Sequence, residues 1–452
     1  NSSSDSVIKI DAKTQDVTLI EVGDNPTILK TIPKNDAAVV LNSGSDSVSV
    51  IWSSPTSDEV KTLDVEPGCN MLVMSPDGRY AVAYYDNSFA KPGDPVGSFQ
   101  VISIVKLSKG AEKVINLSVG FRPLQIEFSS DGLAAFAITE DGISRITLDE
   151  AAADSIVPPI PVSDDPAAKL KEGEVKITPD GKFALARDPY KAEITIVDIL
   201  GKVLYKVELA GIPTDLDLTP DGEKALIVER DALRIEVLEI PEILGDTEAR
   251  IVIELKNQNI GLAKITEDGS HAILYSSLEE VEELSTLRFA DFTMKSYSLK
   301  KSVDSVLNIP SHKRAVVIHR KKPGNPVPGE DVEDFIDKSY GFSLFDIESG
   351  FVKLEITGDK TGETAFIPGG IKAYMALPDG EGISHKVLEI NTVSFMVKSF
   401  ILGSEPEHIR SVPASNTVAV SQKHPSGRIT FIDVTTGNMK TITGFELNGL
   451  ID

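Results

Sequence analysis

Thr178-Pro179-Asp180-Gly181, followed by Phe183-Ala184-Leu185-Ala186, Ile194-Thr195-Ile196-Val197-Asp198 and Lys202-Val203-Leu204-Tyr205-Lys206-Val207, decides how the whole chain is read. Proline presets the dihedral of an early turn position, aspartate bonds its own backbone, and glycine accepts the left-handed conformation that ends the turn. The three runs that follow are too short for helices and are rich in β-branched residues, so they read as strands. The last is amphipathic, as expected of a strand with one face to water.

Outward from this stretch the same turn recurs. It is Ser75-Pro76-Asp77-Gly78, Ser129-Ser130-Asp131-Gly132, Thr219-Pro220-Asp221-Gly222 and Thr266-Glu267-Asp268-Gly269, with weaker copies at Ile32-Pro33-Lys34-Asn35, Ile309-Pro310-Ser311-His312, Ile367-Pro368-Gly369-Gly370 and Val412-Pro413-Ala414-Ser415. Successive copies lie 41 to 58 residues apart. Four strands of five or six residues with short turns fill that length, and a unit of that kind is one propeller blade. The expectation is an all-β chain, a single β-propeller of four-stranded blades over residues 7–452 behind a polar leader, residues 1–6. Nine turn markers give nine blades, with eight or ten as the alternatives. Val7-Ile8-Lys9-Ile10-Asp11 and Val17-Thr18-Leu19-Ile20 read as an extra strand pair before the first marker, able to close the ring.

The Ser-Pro-Asp-Gly turn, apolar strand, Ile-Val-Asp-like strand and Thr-Gly turn, clearest in Ser75 to Tyr85, Thr178 to Asp198 and Arg428 to Gly437, resemble the YVTN-type propellers and their TolB-like relatives. That resemblance implies an exported bacterial protein of the periplasm, outer-membrane surface or extracellular space, with the polar start Asn1-Ser2-Ser3-Ser4 suiting a mature end or a lipoprotein tether. It implies a non-catalytic binding module or scaffold. The rival it allows is a lactonase-like hydrolase with its site at the axial channel, because propellers host many chemistries.

Composition limits the partners. The 452 residues carry a formal charge of −24, which opposes nucleic acid, since phosphate binding needs clustered cations. No apolar run is long enough to span a bilayer. The single Cys69 excludes an internal disulfide and reads as a buried thiol. There is no Gly-x-Ser-x-Gly elbow, phosphate-cradling loop or metalloprotease histidine pair. With Trp52 alone, the chain lacks the repeated tryptophans of quinone-dehydrogenase propellers.

Candidate binding residues lie where the second strand of a blade runs to the third. Two of these connections are long, residues 85–97 and 321–340, and they share Lys-Pro-Gly-(Asp/Asn)-Pro-Val: Lys91, Pro92, Asp94 in one and Lys322, Pro323, Asn325 in the other, with a short echo around His424. A proline-stiffened rim loses less entropy when a protein partner docks. Tight exposed turns inherited by related blades are the structural reading of the same residues. The second loop adds Glu330, Asp331, Glu333, Asp334 and Asp337 around Phe335 and Ile336. No cofactor is called for, and calcium is the one ion these oxygens suit, against a plain solvated acidic loop. His319 reads as a satisfied strand residue. Leu278 to Leu284, with apolar positions at 278, 281 and 284, allows a helical excursion or a loop over a blade edge.

Overall fold

The computed structural model describes residues 4–54, 56–163, 170, 173–255, 259–278, 281–378 and 385–445. The fold is an all-β propeller with nine blades. They are blade 1 (β3–β6, residues 26–64), blade 2 (β7–β10, 71–118), blade 3 (β11–β13, 123–147), blade 4 (β14–β17, 174–208), blade 5 (β18–β21, 215–254), blade 6 (β22–β25, 262–298), blade 7 (β26–β29, 303–357), blade 8 (β30–β33, 364–401) and blade 9 (β34–β37, 406–443). Among the described residues the chain forms two compact units. One comprises residues 1–9, 18–225 and 238–251, the other 10–17, 226–237 and 252–452.

The recurrent turn joins the first and second strands of each blade. In its five acidic copies the Ser or Thr hydroxyl donates to the Asp carboxylate two residues on, at 2.6–2.7 Å, and accepts the amide five residues on, at 2.9–3.1 Å. The glycine in fourth place is left-handed each time, with φ of 67–76°. In Ile32 to Asn35 and Ile309 to His312 the left-handed residue moves one place earlier, to Lys34 and Ser311. The fourth residue's amide still closes on the first carbonyl, as a type II turn does.

These turns nest. A Cβ on Gly78 would lie 3.0 Å from Ile32 of the preceding turn, one on Gly181 2.6 Å from Phe136, and one on Gly222 2.7 Å from Pro179. Each glycine therefore answers two demands, a dihedral and a close approach.

Between turns, successive residues of the second and third strands serve opposite neighbours. Ala315 and Val317 pack with Ile273 and Leu284 of blade 6, whereas Val316 packs with Ala373 and Met375 of blade 8. Burial on both faces explains why the second strands read as unbroken apolar runs. The aspartate ending the third strand seats the next turn: Asp198 accepts from Leu200 and Gly201, and Asp433 from Thr435 and Thr436.

Two departures follow from local chemistry. Among the described residues blade 3 has three strands; beyond the third, Pro158, Pro159 and Pro161 cannot donate to a ladder, and Ile160 exchanges a pair of hydrogen bonds with Ile143. Among the described residues the early strand pair, β1 (Ser6–Ile10) and β2 (Val17–Glu21), pairs only with itself. It packs Val7, Ile20 and Val22 against Val40 and Ile51 of blade 1 and ties Lys9 to Asp58 at 2.6 Å. Ser6, assigned to the polar leader by sequence, is a buried residue of β1.

Cys69 lies in the apolar layer between blades 1 and 2, where burial, with Glu66 and Asp46 nearby, pushes its thiol up to about 12. Glu279 and Glu280, in the stretch open to a helical excursion, lie outside the described residues, and Glu283 and Leu284 already belong to strand β24 (Glu283–Arg288). No helix among the described residues is long and apolar enough to cross a membrane.

Candidate functional site

Both long connections run from a second strand to a third, 85–100 in blade 2 and 320–339 in blade 7, as does the short echo at 423–427 in blade 9. The shared motif holds a common backbone feature, a left-handed Gly93 at φ 99° and Gly324 at φ 106°. The surroundings differ. In blade 2, Asp94 accepts from the Lys91 amide at 2.7 Å and returns its own amide to the Lys91 carbonyl at 3.0 Å, which closes a tight turn led by Pro92. In blade 7, the Lys322 amide instead donates to the Asp337 carbonyl at 2.8 Å, and the motif with Pro323 and Asn325 is tied to the far end of its own loop. At the echo, Lys423 pairs with Glu405 at 2.9 Å and His424 accepts from the Ser426 amide at 3.2 Å.

The blade 7 connection, expected to be a loop throughout, contains a helix, α1 (Val332–Lys338). Its signal is there in hindsight. Asp331 is an N-cap, accepting from the amides of Glu333 and Asp334, with acidic residues in the first turn and Lys338 in the last. The carboxylates considered for calcium are dispersed among these tasks. Glu330 pairs with Lys338 at 2.7 Å, which holds its carboxyl below the usual range, Asp337 pairs with Lys322 at 2.7 Å, and Asp331 caps. Among the described residues no three His, Cys, Asp or Glu side chains are grouped to hold a metal ion.

None of the side chains of α1 is buried. Asp331, Val332, Glu333 and Asp334 are exposed, Val332 by 70%, while Phe335 and Ile336 are half-buried. At the foot of the loop Lys301 is wholly buried and donates to the Ile336 and Asp337 carbonyls, both at 2.8 Å. His319 ends β27 (Arg314–His319) with both ring nitrogens partnered, to the Ser302 carbonyl at 3.1 Å and the Ser343 hydroxyl at 2.6 Å. Burial pushes its imidazole down to about 4. As Ser343 is also buried, this pair is core architecture and offers no exposed nucleophile.

The blade 2 loop borders a cleft of about 370 Å³ floored by the first strands of blades 3 and 4. Asp86 to Phe89 form one wall; Arg122, Leu124, Glu127, Leu170 and Lys176 contribute to the rest. Asp86 is buried, accepting from the Ser88 amide and hydroxyl, and Phe89 is 64% exposed. Behind the loop Tyr85, Phe99 and Phe121 form a row with ring centroids 5.7 and 6.0 Å apart. Three of the cleft's charges are paired: Arg122 with Glu140 at 2.8 Å, and Glu174 with Lys176 at 3.1 Å and with Arg187, outside the cleft, at 3.2 Å. Glu127 differs, since burial raises its carboxyl despite the nearby Lys176. Sequence reasoning missed Glu127, Lys176 and Asp217. Each stands two residues before its turn's Ser or Thr, and aligning the repeats at that register exposes a row of opposite charges.

No family model matches this sequence, and no curated protein matches it. Solved structures do. A eukaryotic initiation factor structure is similar with a TM-score of 0.53 at 12% identity, over 88% of this chain and 94% of that one. Dihydro-heme d1 dehydrogenase NirN in complex with DHE gives 0.48 at 13%, over 88% of this chain and 78% of that one. A functionally unknown protein from Desulfotomaculum acetoxidans gives 0.36 at 14%, over 71% and 99%. At these identities likeness concerns architecture alone, and the architecture is that of a β-propeller.

Proposed function

We propose that the chain is a non-catalytic binding propeller of the YVTN type, working in the bacterial envelope or at the cell surface, which takes a basic protein partner on its long second-to-third-strand loops. One observation carries the reading: the blade 7 connection builds a helix with no fully buried side chain whose cap and first turn, residues 331–334, are exposed, so that turn is available for display. What it displays is an acidic tip, Asp331, Glu333 and Asp334, around the exposed Val332. A chain of net charge −24 suits a cationic partner, whose approach it would steer. The exposed Phe89 and Val96 of the blade 2 loop offer apolar contact of the kind found at interface cores. The YVTN resemblance of the turn grammar supports the location.

The test is recovery of partners from envelope extract on the immobilised chain, comparing wild type with Val332→Asp combined with Glu333→Lys and Asp334→Lys. A salt-sensitive partner retained by wild type and lost by the variant is expected. Equal recovery by both overturns the reading, as does fractionation that places the protein wholly in the cytosol.

A further inference from the structure

We infer that Lys301 is the latch of the blade 7 loop, a buried positioning residue whose two hydrogen bonds hold α1 folded and thereby set whether the acidic tip is presented. The display role rests on the function proposed above; the latch itself does not. A seven-residue helix is far too short to be stable alone in water. Helices in proteins are ordinarily held by burying an apolar face, and α1 offers only the half-buried Phe335 and Ile336, with no side chain fully buried. Polar ties add to that partial burial. The two ion pairs are partly exposed, Lys322 to Asp337 and Lys338 to Glu330, while the buried Ser339 hydroxyl donates to the Phe335 carbonyl at 2.7 Å. Exposed pairs contribute little.

Lys301 is different in kind. It is wholly buried, and its ammonium donates to two carbonyls of the last turn of α1, adding a charge-assisted bond to the Ser339 amide that the Ile336 carbonyl accepts and the Lys322 amide that the Asp337 carbonyl accepts. Among the described residues no carboxylate stands within ion-pair distance of it. If α1 undocks, a buried cation and two carbonyls lose each other at once. Such charge-assisted bonds are the strong ones, and the penalty for losing them is steep in a buried setting.

The groups facing Lys301 are Asp337, Lys321 and Lys322 of the loop, Glu282 ahead of β24, and His319 of β27. Burial lowers the lysine to about 8, ahead of the opposing pull of Asp337, so the ammonium becomes a neutral amine within an accessible range. An amine still donates, but without charge assistance, and the latch weakens as pH rises through that value.

Hydrogen exchange on the intact chain tests this, with rates corrected for intrinsic pH dependence. Lys301→Met is expected to reduce protection of amides 335–339 at least tenfold at pH 7 while the strand amides of 314–319 and 340–346 keep theirs. Unchanged protection at 335–339 overturns the latch. Wild type supplies a second arm that does not depend on a variant folding. Between pH 7 and 9.5 protection at 335–339 should fall relative to the blade 7 strands, and parallel behaviour overturns the proposal. If protection falls in Lys301→Met yet partner recovery is unchanged, the latch stands and the binding reading fails.

Discussion

Single positions in the turns separate conformational strain from crowding. Gly93 has φ 99° and nothing near its missing Cβ, whereas Gly181 has φ 70° and Phe136 in the way. Gly93→Ala should therefore cost about 1 kcal/mol, the left-handed penalty alone. Gly181→Ala should cost about 2–3 kcal/mol, because packing must shift as well. Chemical denaturation of both variants checks the difference; equal losses would mean the packing around Gly181 yields freely. Conversely, Lys34→Gly should stabilise by up to about 1 kcal/mol, relieving a non-glycine residue held at φ 63°. His319 sets a pH dependence. Its folded value of about 4 lies below the ordinary 6.5, so both states are neutral above pH 6.5 and the stability is full there. As pH falls from 6.5 to about 4 the unfolded chain takes up the proton first and stability is lost, by about 3 kcal/mol in all. Denaturation of wild type against His319→Gln across that window should show the two curves converging.

At the level of elements, legibility followed the chemistry of hydrogen-bond partners. Ser-Pro-Asp-Gly is readable because its side chains bond within the turn itself, so four letters carry the geometry. Helix α1 carries a local signal in the Asp331 cap and the charge order of its turns, but it is short, and one of its ties is remote: Lys301 lies outside the loop, and nothing in Asp331 to Lys338 announces a buried ammonium beneath. Among the described residues blade 3 has no fourth strand, where three prolines that a period count passes over each lack the donor a ladder needs. The loop and its latch invite a double-mutant cycle. Replacing residues 321–338 with a four-residue turn like Ser43-Gly44-Ser45-Asp46 should destabilise the chain by about 3 kcal/mol, because it strands a buried cation. Adding Lys301→Met to that deletion should recover the part of the loss owed to the stranded cation, leaving only what the half-buried Phe335 and Ile336 contributed. Thermal denaturation of the four chains would refute this if the two changes were simply additive.

For the whole molecule, the repeat period and the two-sided apolar strands were enough to give the blade count, because every unit poses the same burial problem and solves it the same way. The charged row of Glu127, Lys176 and Asp217 was not legible until units were superposed, since no single unit contains it. The net charge of −24 makes a bulk prediction. Raising salt from about 0.01 M to 0.1 M shortens the screening length from roughly 30 to 10 Å and should raise the Tm, because like charges repel most in the compact state. A Tm that falls instead would mean the ion pairs outweigh the repulsion. The nested turns bear on how such a chain is copied or recombined. Gly181 has its socket in Phe136 and Gly222 in Pro179, so the instructions for one repeat are split across two consecutive ones. A transplanted module cut at its own first residue arrives with a tooth and no matching gear, and grafts that keep the upstream neighbour should be the ones that assemble.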